Sequence, residues 1–245
     1  MRWFTADLHI HSVLSPCGGL EMSPAELIAR IKACGIDWMA ITDHNSVANC
    51  PAYEAVARKE GVHFTWGLEV QTSEEIHLLV YFDSPDSARD FGNALYDSLL
   101  PVSNDPVFFG DQVIIDENEN IKGMEQRALA NSSLWDLNAV VDKAREFGGY
   151  CVPAHVDAEA NSLISQLGFV PPEPEFDLFG ITARLNLSNW LIRHGDLDGK
   201  AFLRCSDAHY LSDVGSGTSR ILVREPSAAE LAKAALGLED RKIQV

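Results

Sequence analysis

The chain lacks the marks of several protein classes. Its five cysteines, at positions 17, 34, 50, 151 and 205, are an odd set with no CxxC pair. That excludes a disulfide framework and a Cys-rich structural zinc site, and it reads as reduced thiols. No run approaches the roughly 18 apolar residues of a membrane span. The opening stretch, Met1-Arg2-Trp3-Phe4-Thr5-Ala6-Asp7, has no apolar signal region, so the expected location is the cytoplasm. Basic charge is scarce: 19 Lys and Arg stand against 36 Asp and Glu, for a net charge of −17. Proteins that coat nucleic acid need many cations at phosphates, which counts against that class without closing it. A phosphate substrate stays open, because carboxylates that hold divalent cations present positive charge locally. No internal repeat, low-complexity run or linker interrupts the chain.

What is present is an ordinary globular composition. A hydrophobic fraction of 46% over 245 residues can bury a proper core, and one domain spanning 1–245 is expected. Strand and helix signals alternate along the chain. Strands are predicted at Trp3–Leu8, Asp37–Thr42, Val62–Val70, Ile76–Phe82, Tyr150–Ala154, Leu178–Thr182 and Ala201–Cys205. Between them Ser23-Pro24 opens a helix to about Ala33, and further helices are predicted at Pro51–Glu60, Ser87–Leu99, Leu134–Phe147 and Ser227–Leu236. Such alternation predicts parallel strands wrapped by helices. The polar stretch 101–125, with one hairpin in Gln112–Gly123, exceeds the usual loop and reads as an insertion over a site.

Six of the eight histidines fall at or beside the predicted strands. His9 and His11 flank Ile10 on an extended segment, where alternate side chains point the same way and can aim two imidazoles at one ion. His44 follows the second strand, Glu69 ends the third and His77 starts the fourth. His155 follows the fifth, and Asp207 and His209 follow the last. The C-terminal ends of parallel barrel strands converge on one face, where such enzymes place their chemistry. His77 fits this less well, being early in its strand. One histidine at a strand end is usually a satisfied loop residue, and His63 and His194 are left in that class. Imidazole and carboxylate together suit Zn, Mn or Fe.

The ordered set His9-x-His11, Thr42-Asp43-His44, Gly67-x-Glu69, His77, Pro153-x-His155 and Ser206-Asp207-x-His209 resembles the PHP superfamily, named for polymerase and histidinol phosphatase. The resemblance runs from about residue 5 to 223. It implies an α/β fold, a distorted (β/α)7 TIM-like barrel, with up to three divalent ions cleaving phosphate esters. It further implies that His9, His11, Glu69 and Asp207 hold a first metal. Glu69 bridges to a second, completed by His77 and His155, while His44 and His209 hold a third with one ligand from the loop after His11. That loop, Ser15-Pro16-Cys17-Gly18-Gly19-Leu20-Glu21, departs from the family. Cys17 is the preferred ligand, since a thiolate binds zinc well, and Glu21 is its rival.

The function expected is a metal-dependent phosphoesterase acting on a nucleotide, sugar or amino-alcohol phosphate through a metal-bound hydroxide at a di- or trinuclear site. Glu69, Asp207 and His209 are the expected catalytic groups. Asp43 orients a neighbouring imidazole or caps its loop. Arg184 and Arg220 are preferred over Arg127 and Arg204 for phosphate, which guanidinium matches bidentately. The alternatives are a structure-specific nuclease of the same superfamily and a non-catalytic, metal-stabilised regulatory module. No membrane partner is expected, and the oligomeric state is open.

Overall fold

Three parallel strands start the fold: β1 (Arg2–Asp7), β2 (Trp38–Ile41) and β3 (His63–Gln71), joined by α1 (Pro24–Ala33) and α2 (Cys50–Lys59). Pro24 opens α1 in the first turn, where its missing N–H costs nothing, and Leu27, Ile28 and Ile31 bury one face. Gly35, at φ +69°, then lets the chain leave the helix. In this computed structural model, which describes residues 1–245, the chain next reverses instead of crossing over. Residues 72–76 are too few for a crossover helix, so β4 (His77–Phe82) returns antiparallel to β3.

β7 (Tyr150–Pro153) runs antiparallel to β4 in turn. At the other edge, β10 (Ser219–Val223) is antiparallel to β1, and β11 (Lys242–Gln244) is antiparallel to β10. The seven-stranded sheet has the order β11-β10-β1-β2-β3-β4-β7. Between β4 and β7 lie α3 (Pro85–Ser98), the hairpin β5 (Val113–Ile115) and β6 (Ile121–Met124), and α4 (Leu137–Glu146). The short helices α5 (Leu163–Leu167) and α6 (Leu187–Leu191) flank β8 (Leu178–Ile181), and β9 (Ala201–Arg204) follows.

The sheet curls, and the parallel pair β8–β9 lies between its two edges, close to β7 and β11 but outside their hydrogen-bonded ladder. Side-chain packing completes the enclosure. Phe4, Leu8, Trp38, Leu79, Tyr81, Leu178, Leu203 and Ile221 form one fully buried inner cluster, with Leu231 of α7 (Ala228–Ala235) packed into it. Alternate residues face outward to the helices: Trp38 and Ala40 belong to the inner cluster, Met39 and Ile41 to the larger outer one. Both faces are buried, which is why these strands read as continuous apolar runs. The last strand is tied down by Arg241, whose buried guanidinium meets both Glu230 oxygens at 2.7 Å.

The architecture is therefore α/β with a curled mixed sheet, and the expected ring of seven parallel strands is not what forms. Strands β10 and β11 and helices α5 and α6 lay outside the sequence reading. The insertion also differs from expectation. Its hairpin is present, but the segment lies against the loop after β1 and none of its residues lines the cavity that holds the histidines. The Val113 N–H donates to Val13 O at 3.1 Å, and Asn49 bridges the hairpin through Val113 O and the Ile115 N–H.

The enclosure predicts that Leu203→Ala, in a strand outside the main ladder, lowers unfolding free energy by about 2–5 kcal/mol, as for other buried leucines. Urea denaturation followed by two independent probes measures it. A change below about 0.5 kcal/mol, the range of surface substitutions, would show that β8–β9 does not share the inner core.

Candidate metal centre

The reversal at β4 decides where His77 stands. As the first residue of a strand running opposite to β3, it pairs with Gln71 at the far end of β3, the same end that carries Glu69. The awkward position of His77 in a parallel barrel is thus removed by strand direction.

Backbone hydrogen bonds stitch the segments bearing the candidate ligands together. The His11 N–H donates to Ala208 O at 2.9 Å, and the Thr42 N–H donates to Ile10 O at 2.9 Å. The Asn45 N–H donates to Glu69 O at 2.8 Å, and the Ala154 N–H to His77 O at 3.0 Å. Two of the candidates also occupy the left-handed region that non-glycine residues avoid: His155 at φ +29° and Asp207 at φ +53°. Strain of this kind costs about 1–3 kcal/mol and gathers at functional sites.

Glu69 is the hub. Its carboxylate, 1% exposed, has four imidazole nitrogens close around it. His44 Nδ1 and His77 Nδ1 lie at 3.0 Å, and His9 Nε2 and His155 Nε2 at 3.2 Å. Asp207 Oδ1 lies 3.1 Å from His9 Nε2 and 3.3 Å from His11 Nε2, and these two nitrogens are 3.2 Å apart. Donors around one ion with bonds near 2.1 Å are separated by about 3.0–3.4 Å, so these spacings leave the cluster able to hold a metal ion. Three overlapping groups have their donor atoms within 4.8 Å of one another: His9–His11–Glu69, His44–Glu69–His77 and His11–His44–His209. His44 therefore stands between two groups, where the sequence reading gave it to one.

The fit to metal rests on orphaned atoms. His44 Nδ1, His77 Nδ1, His155 Nδ1 and Asp207 Oδ1 are buried without a hydrogen-bond partner. Each such group costs about 1–3 kcal/mol if nothing satisfies it; a divalent cation beside Glu69 would meet His44 Nδ1, His77 Nδ1 and Asp207 Oδ1, whereas His155 turns Nε2 and not its orphaned Nδ1 towards Glu69. The two carboxylates are held ionised, and the imidazoles divide: His11 and His77 are lowered, whereas His9, His44 and His209 are raised, against their burial, by the acidic groups beside them. Burial would raise the Glu69 carboxyl, but His77 and His9 hold it well below the ordinary range. Asp207 is held low in the same way, by His9 and His11 against its burial. His11 is pushed well below the usual histidine value by burial and by His209, which leaves a neutral imidazole. Burial works the same way on His9, yet Asp207 and Glu69 outweigh it and raise the group.

Of the two candidates in the loop after β1, Cys17 lies beside the cluster. Cys17 Sγ is 3.4 Å from His44 Nε2, whereas the Glu21 carboxylate folds against Gly19. Burial would raise the Cys17 thiol, but hydrogen bonds to His209 and His44 bring it down to about 6. Asp43 touches no imidazole. It accepts from the Ser12 N–H at 2.7 Å, the Ser12 hydroxyl at 2.5 Å and the Ser15 hydroxyl at 2.7 Å. Ser15 Oγ in turn meets His11 Nδ1 at 2.9 Å. Asp43 thus caps its loop and reaches His11 through Ser15, a residue the sequence reading missed although it lies one helical turn's spacing beyond His11.

The arginines divide. Arg220 is exposed on β10 with its guanidinium 5.0 Å from the centre of the Trp3 ring, so it is not brought to the cluster. Arg204 clamps the loop after β8 by donating to Thr182 O, Ala183 O and Leu185 O, each at 3.0 Å. Arg127 packs over Tyr96 and bonds its carbonyl. Arg184 is exposed two residues beyond Thr182, which lines the cavity, although Arg184 itself does not line it. His63 bonds Arg2, and His194 stacks on Trp190, away from the cluster as expected. The cavity measures about 280 Å³ and is lined by His44, Glu69, His77, His155, Asp207 and His209 with Thr182, Asn161, Ala158 and Ala160, while His9 and His11 lie behind it in the cluster. Asp157 accepts from both the N–H and the hydroxyl of Thr182, a pair with no warning in the sequence.

Known proteins resemble this one in sequence over part of the chain and in fold. A 5′-3′ exoribonuclease of Haemophilus influenzae is 36% identical over 76 residues, 30% of this chain and 27% of that protein. The lesion-specific endonuclease PfuEndoQ from Pyrococcus furiosus superposes with a TM-score of 0.73 at 20% identity, covering 100% of this chain and 58% of its own. An amidohydrolase from Chromobacterium violaceum gives a TM-score of 0.58 at 19% identity, over 86% of this chain and 89% of that one. The chain thus spans little more than half of the endonuclease and about a quarter of the exoribonuclease. Residues 7–148, well over half of the sequence and the part that carries His9, His11, His44, Glu69 and His77, match the PHP domain, and the chain belongs to that family.

Proposed function

We propose that this protein is a metal-dependent phosphoesterase that hydrolyses a small phosphorylated substrate such as a nucleotide, sugar or amino-alcohol phosphate. The observation that carries the reading is the clustering of six imidazoles and two carboxylates at one end of the fold, four of the imidazoles and both carboxylates lining one open cavity, with several donor atoms buried and unpartnered. The donor set suits two or three ions of zinc, manganese or iron. His9, His11, Glu69 and Asp207 would hold the first, Glu69, His77 and His155 the second, and His44, His209 and Cys17 the third. Such ions, when bound, acidify water, neutralise phosphate oxygens and stabilise the leaving oxygen.

The chain supplies the rest. Glu69 and Asp207 stay ionised and carry the negative charge that the cations need. Ser15, with its proton committed to Asp43, accepts from His11 Nδ1 and leaves Nε2 facing Glu69 and Asp207. The Thr182 hydroxyl donates to Asp157, so what it offers a substrate is an acceptor, suited to a hydroxyl or ammonium group. Arg184, exposed two residues beyond Thr182 and without an ion-pair partner in the fold, is the proposed phosphate contact.

A second reading, a nuclease, draws on the likeness to an endonuclease and an exoribonuclease. The net charge of −17 speaks for the smaller substrate. Parallel assays on mononucleotides, sugar phosphates and single-stranded oligonucleotides with added Mn or Zn separate the two. Turnover confined to oligonucleotides would replace the small-molecule reading, and no turnover of any phosphate ester by the metal-loaded protein would overturn both.

Glu69→Gln should lose bound metal and phosphoesterase activity together, read by elemental analysis beside the assay; a variant that keeps full activity would sink the scheme. Cys17→Ser should cost about one ion per chain, as expected for loss of one ligand at a single site, and Glu21→Gln should cost none. Equal metal content in wild type and Cys17→Ser would remove the thiolate from the third site.

A further inference from the structure

Gln71 and His77 face each other across the β3–β4 ladder. The Gln71 side-chain Oε1 lies 3.2 Å from His77 Nε2, and its amide nitrogen donates to Ser132 Oγ at 3.1 Å. An amide oxygen only accepts, so in this arrangement the proton of the neutral ring is on Nε2 and the lone pair is on Nδ1. His77 Nδ1 is buried, makes no hydrogen bond and stands 3.0 Å from Glu69 Oε1. Nδ1 is not aligned for a hydrogen bond to Glu69 Oε1 although the two atoms are 3.0 Å apart, so a proton there would forgo the Gln71 bond without gaining an aligned one. The ring is thus held with its free electron pair towards the hub carboxylate.

Gln71 is itself well anchored. Its backbone N–H donates to Asn45 Oδ1 at 3.0 Å, and its carbonyl accepts from the Ser133 N–H at 2.9 Å. Asn45 is fixed in turn by donating to Leu129 O and Asn131 O at 2.7 and 2.8 Å. Two other histidines have their outer nitrogen engaged in the opposite sense. His11 Nδ1 meets Ser15, and His209 Nδ1 donates to Asp207 O at 2.9 Å, which leaves Nε2 as the free donor atom in both.

We propose that Gln71 is a positioning residue for the metal centre: it fixes His77 as the Nε2–H tautomer and so selects Nδ1, not Nε2, as the ligand atom beside Glu69. The inference rests on the metal-centre reading above and adds to it a residue outside the ligand set. Partners of this kind raise ligand basicity and hold ring orientation, and their loss typically weakens metal affinity on the order of 10–100-fold.

The test uses the full chain and zinc alone. Apparent affinity is measured by competition with a chromogenic chelator for wild type, Gln71→Met and Gln71→Glu, beside the thermal midpoint of each metal-free protein. Gln71→Met, which keeps the side chain's length but removes the acceptor, should bind its weakest zinc at least about 10-fold less tightly. Gln71→Glu, which keeps the acceptor, should bind at least as tightly as wild type. Long-range proton–nitrogen spectra of the zinc-loaded protein should show His77 protonated at Nε2. A proton on Nδ1 would overturn the proposal, and so would unchanged affinity in Gln71→Met. Equal weakening in both variants, with wild-type thermal midpoints, would also overturn it, because shape and not the acceptor would then matter. A wild-type chain that binds no zinc would instead bring down the metal-centre reading itself.

Discussion

Everything at the open end of this fold is arranged around one buried carboxylate. Glu69 is nearly sealed from solvent, yet four imidazoles from four different segments come within 3.2 Å of it. A carboxylate in such a place stays ionised only if positive charge or strong donors surround it. The fold answers with histidines and with room for cations. The short loops between the strands, the reversal at β4 and the strained backbone at His155 and Asp207 all serve to bring those rings to that one group.

The division of labour between the two cores follows from this. The inner cluster, from Phe4 to Ile221, fills the curl of the sheet with apolar side chains and leaves the polar groups gathered where the strands give way to loops. The outer cluster fastens the helices and sets the height of each strand. Register then does the fine placement. Thr42, Ile10 and Ala208 share backbone hydrogen bonds with their neighbours, so the ligand-bearing loops move as one rim and not as separate arms.

Much of this was legible in the residues. The alternation of His9 and His11, the Asp43-His44 pair closing β2 and Asp207-x-His209 following β9 identify the ligand segments, because ligand type and strand ends are both local properties. Helix starts were legible for the same reason: Ser23-Pro24 marks α1 to within a residue. What could not be read is anything that depends on which strand lies beside which. The reversal at β4, the side-by-side placement of Gln71 and His77, and the closing of the curl by β8–β9 follow from pairing across the sheet, which no single segment records. The same holds for the arginines. Arg204 ends β9 and Arg220 lies within β10, where one is spent on holding three carbonyls and the other lies over Trp3 on a face that solvent reaches. Ser15 is the intermediate case, close to His11 in the chain but given its role only by the distant Asp43.

The contact between the insertion and the loop after β1 has a consequence for how this protein can diverge. Gly110, at φ +102°, sits so near Pro16 that an added side chain would place its first carbon 2.0 Å from the Pro16 carbonyl oxygen. Pro16 immediately precedes Cys17, so the two segments pack as one unit despite their distance along the chain. A lineage that lengthens or trims the insertion must also rebuild the stretch that presents the thiol. Relatives with another residue in place of Cys17 are therefore expected to differ around position 110 as well.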